Sequence, residues 1–180
     1  MFIGSSQTEG EGSGLKNENF VSQFKNLLDQ SPLLKTKKFV IINNGKPGTT
    51  ASQLVEFFKN QWIKLKPNVV IINLSGNDQE YQTGPDFATA LEEFVDLSRE
   101  YNFKLVFLAE ANNIEFKPKL ATHQTMKEIA LKNKLTFIDM HKYLASNQNN
   151  GILWWDFIHP TSYGYKLIAK QLFDQLKTKL

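Results

Sequence analysis

The chain of 180 residues has the length of one ordinary domain, and its 41% hydrophobic content is enough for a packed core. It contains no cysteine, which excludes disulfide bonds and thiolate metal sites, and its net charge of +3 comes from lysines scattered among acidic residues rather than from the basic patch of a nucleic-acid-binding protein. No apolar run approaches the roughly 18 residues that a membrane helix needs.

The N-terminus begins abruptly. Met1-Phe2-Ile3 reads as a first strand, shorter than the typical length of about five or six residues, so no signal peptide is predicted and we expect that upstream residues have been removed. Any membrane anchor would then lie in residues absent from this chain, and the compartment is not predicted. The sequence shows no repeat and no linker, so we predict a single domain over residues 1–180.

Apolar segments rich in valine, isoleucine and phenylalanine alternate with helical patterns along the rest of the chain. The predicted strands, whose continuous apolar character is typical of burial on both faces, are 37–43, 68–74, 104–110 and 135–139. Apolar stripes at helical spacing predict helices within 15–28, 54–62 and 87–98, at about 117–133 and at about 162–177. This alternation indicates an α/β fold with a parallel sheet and right-handed crossovers.

A loop rich in glycine and serine, GSSQTEGEGSG (4–14), follows the first strand. It lacks the Gly-Lys-Ser/Thr ending of a P-loop, and its G-x-G-x-G spacing differs from the G-x-G-x-x-G of a dinucleotide-binding turn. Gly4 and Gly10 are wrongly spaced around Ser6 for a G-x-S-x-G elbow. Nucleotide binding is therefore not favoured, and Ser6 is either a turn serine or a nucleophile.

Polar residues follow the first three predicted strands, at Ser5-Ser6, NNGKPGTT (43–50) and SGND (75–78), and a further set lies near the end of the chain, at WWDFIHPT (154–161). Because residues just past parallel strands share one rim of the sheet, we expect these segments to converge. His159 could take the proton of a serine hydroxyl, and Asp156, three residues earlier, could hold the imidazole in the required tautomer. The backbone N–H groups of Ser6 and Gly48 and the side-chain N–H of Asn77 would form an oxyanion hole.

These four segments, in this order, resemble the four sequence blocks of the SGNH (GDSL-type) hydrolase family over nearly the whole chain. The resemblance implies a three-layer α/β/α, flavodoxin-like fold with five parallel strands in the order 2-1-3-4-5. It also implies the site: Ser6 as nucleophile, His159 as base, Asp156 as its orienting partner, and Ser6, Gly48 and Asn77 as oxyanion donors. The first block departs from the family's usual Gly-Asp-Ser because Ser5 stands at the Asp position. Since that Asp is not a triad member, activity is expected to survive.

The resemblance predicts a serine esterase that hydrolyses esters of small acyl groups, such as acetyl on a carbohydrate, without cofactor or metal. The short loops after the third and fourth strands leave little material for a lid over a long acyl chain. Three alternatives stay open: an O-acyltransferase with the same residues, a non-catalytic glycan-binding module, and a flavodoxin-like or nucleotide-binding signalling domain. No nucleic-acid partner is expected.

Two further residues are candidates for substrate contact, each beside a purely structural role. Glu110 follows the fourth strand, and Trp155 precedes the Asp-x-x-His segment and offers a large aromatic surface. Structural roles are predicted for the other polar residues of interest: a hydrogen bonder at Asp78, a helix cap at Asp139, and ordinary surface or boundary positions for His123 and His141.

Overall fold

The computed structural model describes residues 1–81, 84–112, 120–147 and 152–180. Its centre is a five-stranded parallel sheet with the order β2-β1-β3-β4-β5. The strands are β1 (Phe2–Gly4), β2 (Asn43–Gly45), β3 (Val69–Leu74), β4 (Lys104–Ala109) and β5 (Thr136–Asp139). The predicted parallel sheet and its strand order are confirmed.

Helices cover both faces of the sheet. Within the described residues they are α1 (Ser6–Glu9), α2 (Phe20–Gln30), α3 (Ala51–Asn60), α4 (Gly76–Glu80), α5 (Gly84–Glu100), α6 (Leu120–Lys132), α7 (Met140–Ala145) and α8 (Ser162–Leu176), with short 3-10 turns at Lys16–Glu18, Pro32–Leu34 and Trp62–Leu65. Helices α3, α5 and α6 share one apolar core with the sheet, and α2, α7 and α8 share the other. The molecule therefore has the three α/β/α layers that the sequence predicted.

The central strands are buried on both faces because successive side chains point to opposite sides of a strand. Ile72 of β3 packs in the core with α3 and α5, where the rings of Phe58 and Phe94 meet edge to face at 5.7 Å, and the preceding Ile71 packs in the opposite core. Each such side chain stabilises the fold by about 1.5–3 kcal/mol when fully buried. This two-sided burial explains the continuous apolar runs of β3 and β4.

The predicted position of the second strand, residues 37–43, is wrong. The ladder with β1 runs from Asn43 to Gly45, preceded by a hydrogen bond from the Phe2 N–H to the Ile42 carbonyl at 2.8 Å. Phe2 is the first residue of β1 and lies opposite Asn43, so no described residue of β1 stands opposite residues 37–41. Val40 in that segment is 84% exposed, as expected of a residue outside the sheet.

Of the two helices described between β4 and the end of α7, one was predicted and one was not. The helix expected at about 117–133 is described from Leu120 to Lys132, and residues 117–119 lie outside the described ranges. Helix α7 was not predicted. Its N-cap is Asp139, whose side chain accepts a hydrogen bond from the Lys142 N–H at 2.9 Å, so the predicted helix cap is confirmed.

From β1 the chain crosses to β2 on one side and then returns past β1 to β3 on the other side. The ends of β1 and β3 therefore lie side by side in the sheet. In open parallel sheets the crevice at such a switch point is where ligands bind. The chain leaves β1 into α1 and leaves β3 into α4, and both turns carry candidate site residues. None of the described helices is both long enough and apolar enough to span a membrane.

Candidate active site

Ser6 begins α1 at the tight turn that follows β1. Gly4 ends the strand at a point where a Cβ would lie 2.1 Å from the Thr8 Oγ1 and 2.3 Å from the Asn73 carbonyl oxygen, so no larger residue fits without displacing its neighbours. The helix ends after one turn at Gly10, whose φ of 109° suits glycine. The turn holds Ser6 partly buried at the carboxyl edge of the sheet.

Asp156 and His159 lie in a closed loop just before α8. The Trp155 N–H donates to the His159 carbonyl at 2.9 Å and closes this loop. The backbone N–H groups of Ile158 and His159 both donate to Asp156 Oδ1 at 2.7 Å. The carboxylate therefore organises the backbone that carries the imidazole.

His159 bridges Asp156 and Ser6. Its Nδ1 lies 2.7 Å from Asp156 Oδ2, and its Nε2 lies 2.9 Å from Ser6 Oγ. An ionised carboxylate can only accept hydrogen bonds, so the neutral imidazole carries its proton on Nδ1 and donates it to Asp156. The lone pair of Nε2 then faces the serine hydroxyl. The three residues predicted as nucleophile, base and orienting acid are thus joined by one chain of hydrogen bonds, although 153 positions separate Ser6 from His159.

The pKa of Asp156 is lowered from its usual value of 3.8. Partial burial acts to raise this pKa, but the hydrogen bonds from the His159 ring and from the backbone N–H groups of His159 and Ile158 outweigh it. Asp156 is therefore ionised throughout the neutral and mildly acidic range and can stabilise a protonated imidazole.

Sequence reasoning missed two residues of the glycine-rich loop that contact this segment. Glu11 Oε2 lies 3.4 Å from His159 Nε2, on the side open to solvent. Gln7 donates through Nε2 to the carbonyl oxygens of Ile158, at 2.8 Å, and Ala111, and so ties α1 to the His159 loop and to the exit of β4. Within the described ranges, no three His, Asp or Glu side chains are arranged to hold a metal ion.

The segments that carry the predicted oxyanion donors contact each other. Asn77, in the first turn of α4, donates through Nδ2 to the Thr49 carbonyl at 2.8 Å, directly after Gly48. Gly48 has a φ of 75°, and the space where its Cβ would stand is empty within 4 Å. The Lys46 N–H donates to the Gly4 carbonyl at 2.8 Å, which fixes this loop beside the Ser6 turn. The loop from Lys46 to Thr49 therefore contacts both the strand that leads to Ser6 and the start of α4.

Asp78 has the structural role that the sequence predicted. It is buried, and its two carboxylate oxygens accept from the Ala51 N–H at 3.1 and 3.2 Å. This contact joins the start of α4 to the start of α3 and further fixes the position of Asn77.

Glu110 does not lie in an open pocket. It is 5% exposed, and its carboxylate accepts hydrogen bonds from the Ser5 hydroxyl and, at 2.6 Å, from the Gly76 N–H. Its contacts are with the loops that carry the site, so the structure favours the structural interpretation of this residue over direct substrate contact.

The predicted surface or boundary position of His123 is wrong. The side chain is 6% exposed, and its Nε2 lies 2.9 Å from the Ser75 Oγ, just ahead of α4. Its ring centroid lies 6.0 Å from that of His141, which is half-buried. His123 lies three residues before Met126 and seven before Ala130, on the helix face that packs against the sheet.

An open groove of about 980 Å³ runs from the His159 loop along the start of α8. Its walls are mainly aromatic and hydroxyl-bearing residues: Gly12, Ser13, Gly14, Ile152, Trp154, Trp155, Thr161, Ser162 and Tyr163. Trp155 is 72% exposed, so its ring face is available at the groove wall. A Cβ on Gly12 would lie 2.9 Å from the His159 Cβ, which shows how closely the groove adjoins the catalytic histidine candidate.

The fold, together with the chain of hydrogen bonds through Ser6, His159 and Asp156, defines the class of protein, a carboxylic ester hydrolase of the SGNH type. The chain belongs to the GDSL-like lipase/acylhydrolase family, whose model matches residues 2–167. The family resemblance predicted from the four sequence segments is therefore confirmed, and with it the assignment as an enzyme.

Three solved structures with the same fold are esterases. An acetyl xylan esterase, AlAXEase, superposes with a TM-score of 0.81 at 17% identity, covering 97% of this chain and 98% of its own. Axe2, an acetylxylan esterase from Geobacillus stearothermophilus, gives 0.81 at 20% identity over 97% and 92% of the two chains. A two-domain esterase, CEX, active on acetylated mannans, gives 0.77 at 20% identity over 98% of this chain and 47% of its own. None of the curated proteins matches the chain by sequence.

Proposed function

We propose that this protein is a serine esterase that removes small acyl groups, acetyl among them, from carbohydrates through an acyl-enzyme on Ser6. The single observation that carries the proposal is the continuous chain from Ser6 Oγ to His159 Nε2, at 2.9 Å, and from His159 Nδ1 to Asp156 Oδ2, at 2.7 Å. A serine hydroxyl is a weak nucleophile until a base accepts its proton, and this arrangement provides that base.

In the first half-reaction the Ser6 Oγ attacks the ester carbonyl carbon while its proton moves to His159 Nε2. The ionised Asp156 stabilises the resulting imidazolium and keeps the ring in place. When the tetrahedral intermediate collapses, the bond to the leaving alcohol breaks and His159 returns the proton to the alcohol oxygen. Water then attacks the acyl-enzyme with the same histidine as base, which releases the acid and restores Ser6.

The negative charge of each tetrahedral intermediate rests on the backbone N–H groups of Ser6 and Gly48 and on the Asn77 side chain. The contact between Asn77 and Thr49 supports this role, because it fixes the amide while leaving its second N–H for an oxyanion. Fixed donors of this kind stabilise the transition state by several kcal/mol, on the order of 3–4 for one donor.

The carbohydrate part of the proposal has two supports. The proteins of the same fold named above act on acetylated xylan or acetylated mannans. The groove beside His159 combines exposed aromatic faces, such as Trp155, with hydroxyl groups, which suits a sugar ring whose faces are apolar and whose edge is polar. Glu11, whose Oε2 lies 3.4 Å from His159 Nε2, can accept a hydrogen bond from a hydroxyl of the leaving sugar.

The proposal is tested first with p-nitrophenyl acetate and wild-type, Ser6→Ala and Ser5→Ala chains at equal concentration. We expect Ser6→Ala to abolish hydrolysis, whereas Ser5→Ala, which removes no group of the triad, should keep a measurable part of it. A fluorophosphonate probe should label the wild-type chain and fail to label Ser6→Ala. An inactive wild-type chain whose Ser6 does not react would contradict the esterase mechanism and support a non-catalytic glycan-binding module.

The substrate class is tested separately by acetate release from acetylated xylo-oligosaccharides and manno-oligosaccharides. We expect release from at least one of them. Activity on p-nitrophenyl acetate without release from either sugar would refute the carbohydrate assignment and leave the esterase mechanism intact. Transfer of the acyl group to an added sugar in preference to water would identify the acyltransferase alternative.

A further inference from the structure

A buried carboxylate joins the two turns that carry the proposed nucleophile and the proposed oxyanion donor. Glu110 stands at the end of β4, and one of its oxygens accepts from the Ser5 hydroxyl while the other accepts from the Gly76 N–H at 2.6 Å. Ser5 directly precedes Ser6, and Gly76 directly precedes Asn77. One side chain from a third segment therefore fixes both turns at positions adjacent to the reacting groups.

Burial makes these two hydrogen bonds strong determinants of the local geometry. Glu110 is 5% exposed and Ser5 is 3% exposed, so neither group can exchange its partner for bulk water. An ionised carboxylate in such a place is costly unless donors satisfy it, and a charge-assisted hydrogen bond is about twice as strong as a neutral one. Movement of either turn away from Glu110 would leave a buried carboxyl oxygen with fewer hydrogen-bond donors.

The turn before α4 needs such an anchor because its backbone is strained. Ser75 has a φ of 147° and a ψ of −27°, a conformation that residues with a side chain rarely adopt. Strain of this kind persists only where the surroundings hold it. Two contacts do so here: His123 Nε2 with the Ser75 Oγ at 2.9 Å, and Glu110 with the next N–H in the chain, that of Gly76.

We propose that Glu110 is a positioning residue for the reaction, which sets Ser6 and Asn77 at their working separation by holding Ser5 and Gly76. In the first sequence block this chain has Ser5 where the family usually has Asp. The carboxylate at this place comes instead from Glu110, directly after β4. This inference rests on the roles proposed above for Ser6 and Asn77, and it assigns Glu110 no contact with substrate.

The first test is Glu110→Ala, assayed with p-nitrophenyl acetate. Because both turns lose their common anchor, we expect kcat to fall about 100-fold, the loss typical of a misplacement near 1 Å, while KM changes by no more than about threefold. The near-isosteric Glu110→Gln keeps an acceptor for the Gly76 N–H and an amide N–H₂ for the Ser5 hydroxyl oxygen, so its kcat should stay within about tenfold of the wild type.

A matched control separates positioning from general destabilisation. Ser98→Ala removes a different buried hydrogen-bonding group, the Ser98 hydroxyl, which donates to the Val95 carbonyl at 2.7 Å. Both residues lie on α5, far from the turns at Ser5 and Gly76. It should lower the urea midpoint without changing kcat. If Glu110→Ala and Ser98→Ala lower kcat equally at equal loss of stability, the positioning role is refuted.

A second test moves the carboxylate from position 110 to position 5. Ser5→Asp places two carboxylates in a buried contact and should lower both kcat and the urea midpoint strongly. Adding Glu110→Gln to that variant gives the new aspartate an N–H donor and leaves an acceptor for Gly76. We expect the double variant to regain at least about tenfold of the kcat that Ser5→Asp loses. Additive losses in kcat would overturn the proposal.

The same set of variants also distinguishes this inference from failure of the proposed function. If the wild-type chain hydrolyses no ester and Ser6 does not react with the fluorophosphonate, the proposed mechanism is wrong. Glu110 then has no reaction for which it positions Ser6 and Asn77. The coupling itself is still judged by urea unfolding of the four chains that form the cycle. Recovery of the midpoint in the double variant supports the anchor, and additive midpoints refute it.

Discussion

Substitution of Asp156 by asparagine tests the proposed mechanism most directly, because it changes one hydrogen bond and preserves two. The carboxylate accepts from the backbone N–H groups of Ile158 and His159 at Oδ1 and from His159 Nδ1 at Oδ2. In Asp156→Asn the amide oxygen keeps the two backbone donors, so the N–H₂ group faces Nδ1. The imidazole must then accept at Nδ1 and carry its proton on Nε2, where it can no longer take the Ser6 proton.

The size of the effect follows from the cost of turning the amide over. The active tautomer returns only if the N–H₂ group faces the two backbone N–H donors, and each of those then loses a hydrogen bond at a cost of about 1–3 kcal/mol. Two such losses amount to about 2–6 kcal/mol, which corresponds to roughly 30- to 25,000-fold in rate. Since the side chain of Asp156 is 41% exposed, water relieves part of this cost, and we expect a loss of about 10³-fold.

The assay is kcat/KM for p-nitrophenyl acetate at pH 8, with Ser6→Ala as the background and the circular dichroism melting curve as the control for folding. Asp156→Asn should melt close to the wild type, because the loop keeps both backbone hydrogen bonds. If a folded Asp156→Asn chain stays within about tenfold of the wild-type kcat/KM, the assignment of Asp156 as the residue that sets the histidine tautomer is wrong.

Four further outcomes are expected. Asn77→Ala should lower kcat for p-nitrophenyl acetate about 100- to 1000-fold with little change in KM, and a smaller loss would refute its role as oxyanion donor. Gly48→Ala meets no atom within 4 Å but must hold a φ of 75°, so we expect urea unfolding to show a loss of about 1 kcal/mol and kcat to fall as its N–H turns away. Trp155→Ala should reduce kcat/KM on acetylated xylo-oligosaccharides at least tenfold more than on p-nitrophenyl acetate; equal losses would exclude a sugar contact. Since the pKa of Asp156 is lowered in the folded chain, its contribution to stability is complete above the usual value of 3.8 and is lost as the pH falls below it, so urea unfolding should show the small advantage of wild type over Asp156→Asn disappear as the pH is lowered from 4 into stronger acid.

The sequence predicted the features that depend on the chemistry of single residues and on local periodicity. The strands β3 and β4 were recognisable because burial on both faces requires a continuous apolar run. Ser6, Asp156 and His159 were recognisable because few residue types can perform nucleophilic catalysis and because three residues separate the acid from the base. Because residues just past parallel strands share one rim of the sheet, the predicted parallel sheet then indicated that the segments with these residues converge.

Features that depend on contact between distant segments were not predictable in the same way. The run of apolar residues before Asn43 has the composition of a strand, but only the register with β1 decides which residues pair. Likewise Glu110 and His123 look like ordinary polar residues of a loop and a helix, and their burial follows from the approach of the turns at Ser5 and Ser75. A single sequence does not indicate which distant turns come into contact.

The distance of 153 residues between Ser6 and His159 has a consequence for how activity appears during synthesis. The turn with the proposed nucleophile Ser6 follows β1, whereas the proposed base His159 lies in the last loop before α8, and chains are made from the N-terminus. Under the proposed mechanism, a partial chain that stops short of residue 159 has no base for Ser6 and hydrolyses no ester, however well its sheet has formed. Recovery of hydrolysis in a refolding experiment should therefore trail the return of helical signal and report the docking of the C-terminal segment onto the completed sheet.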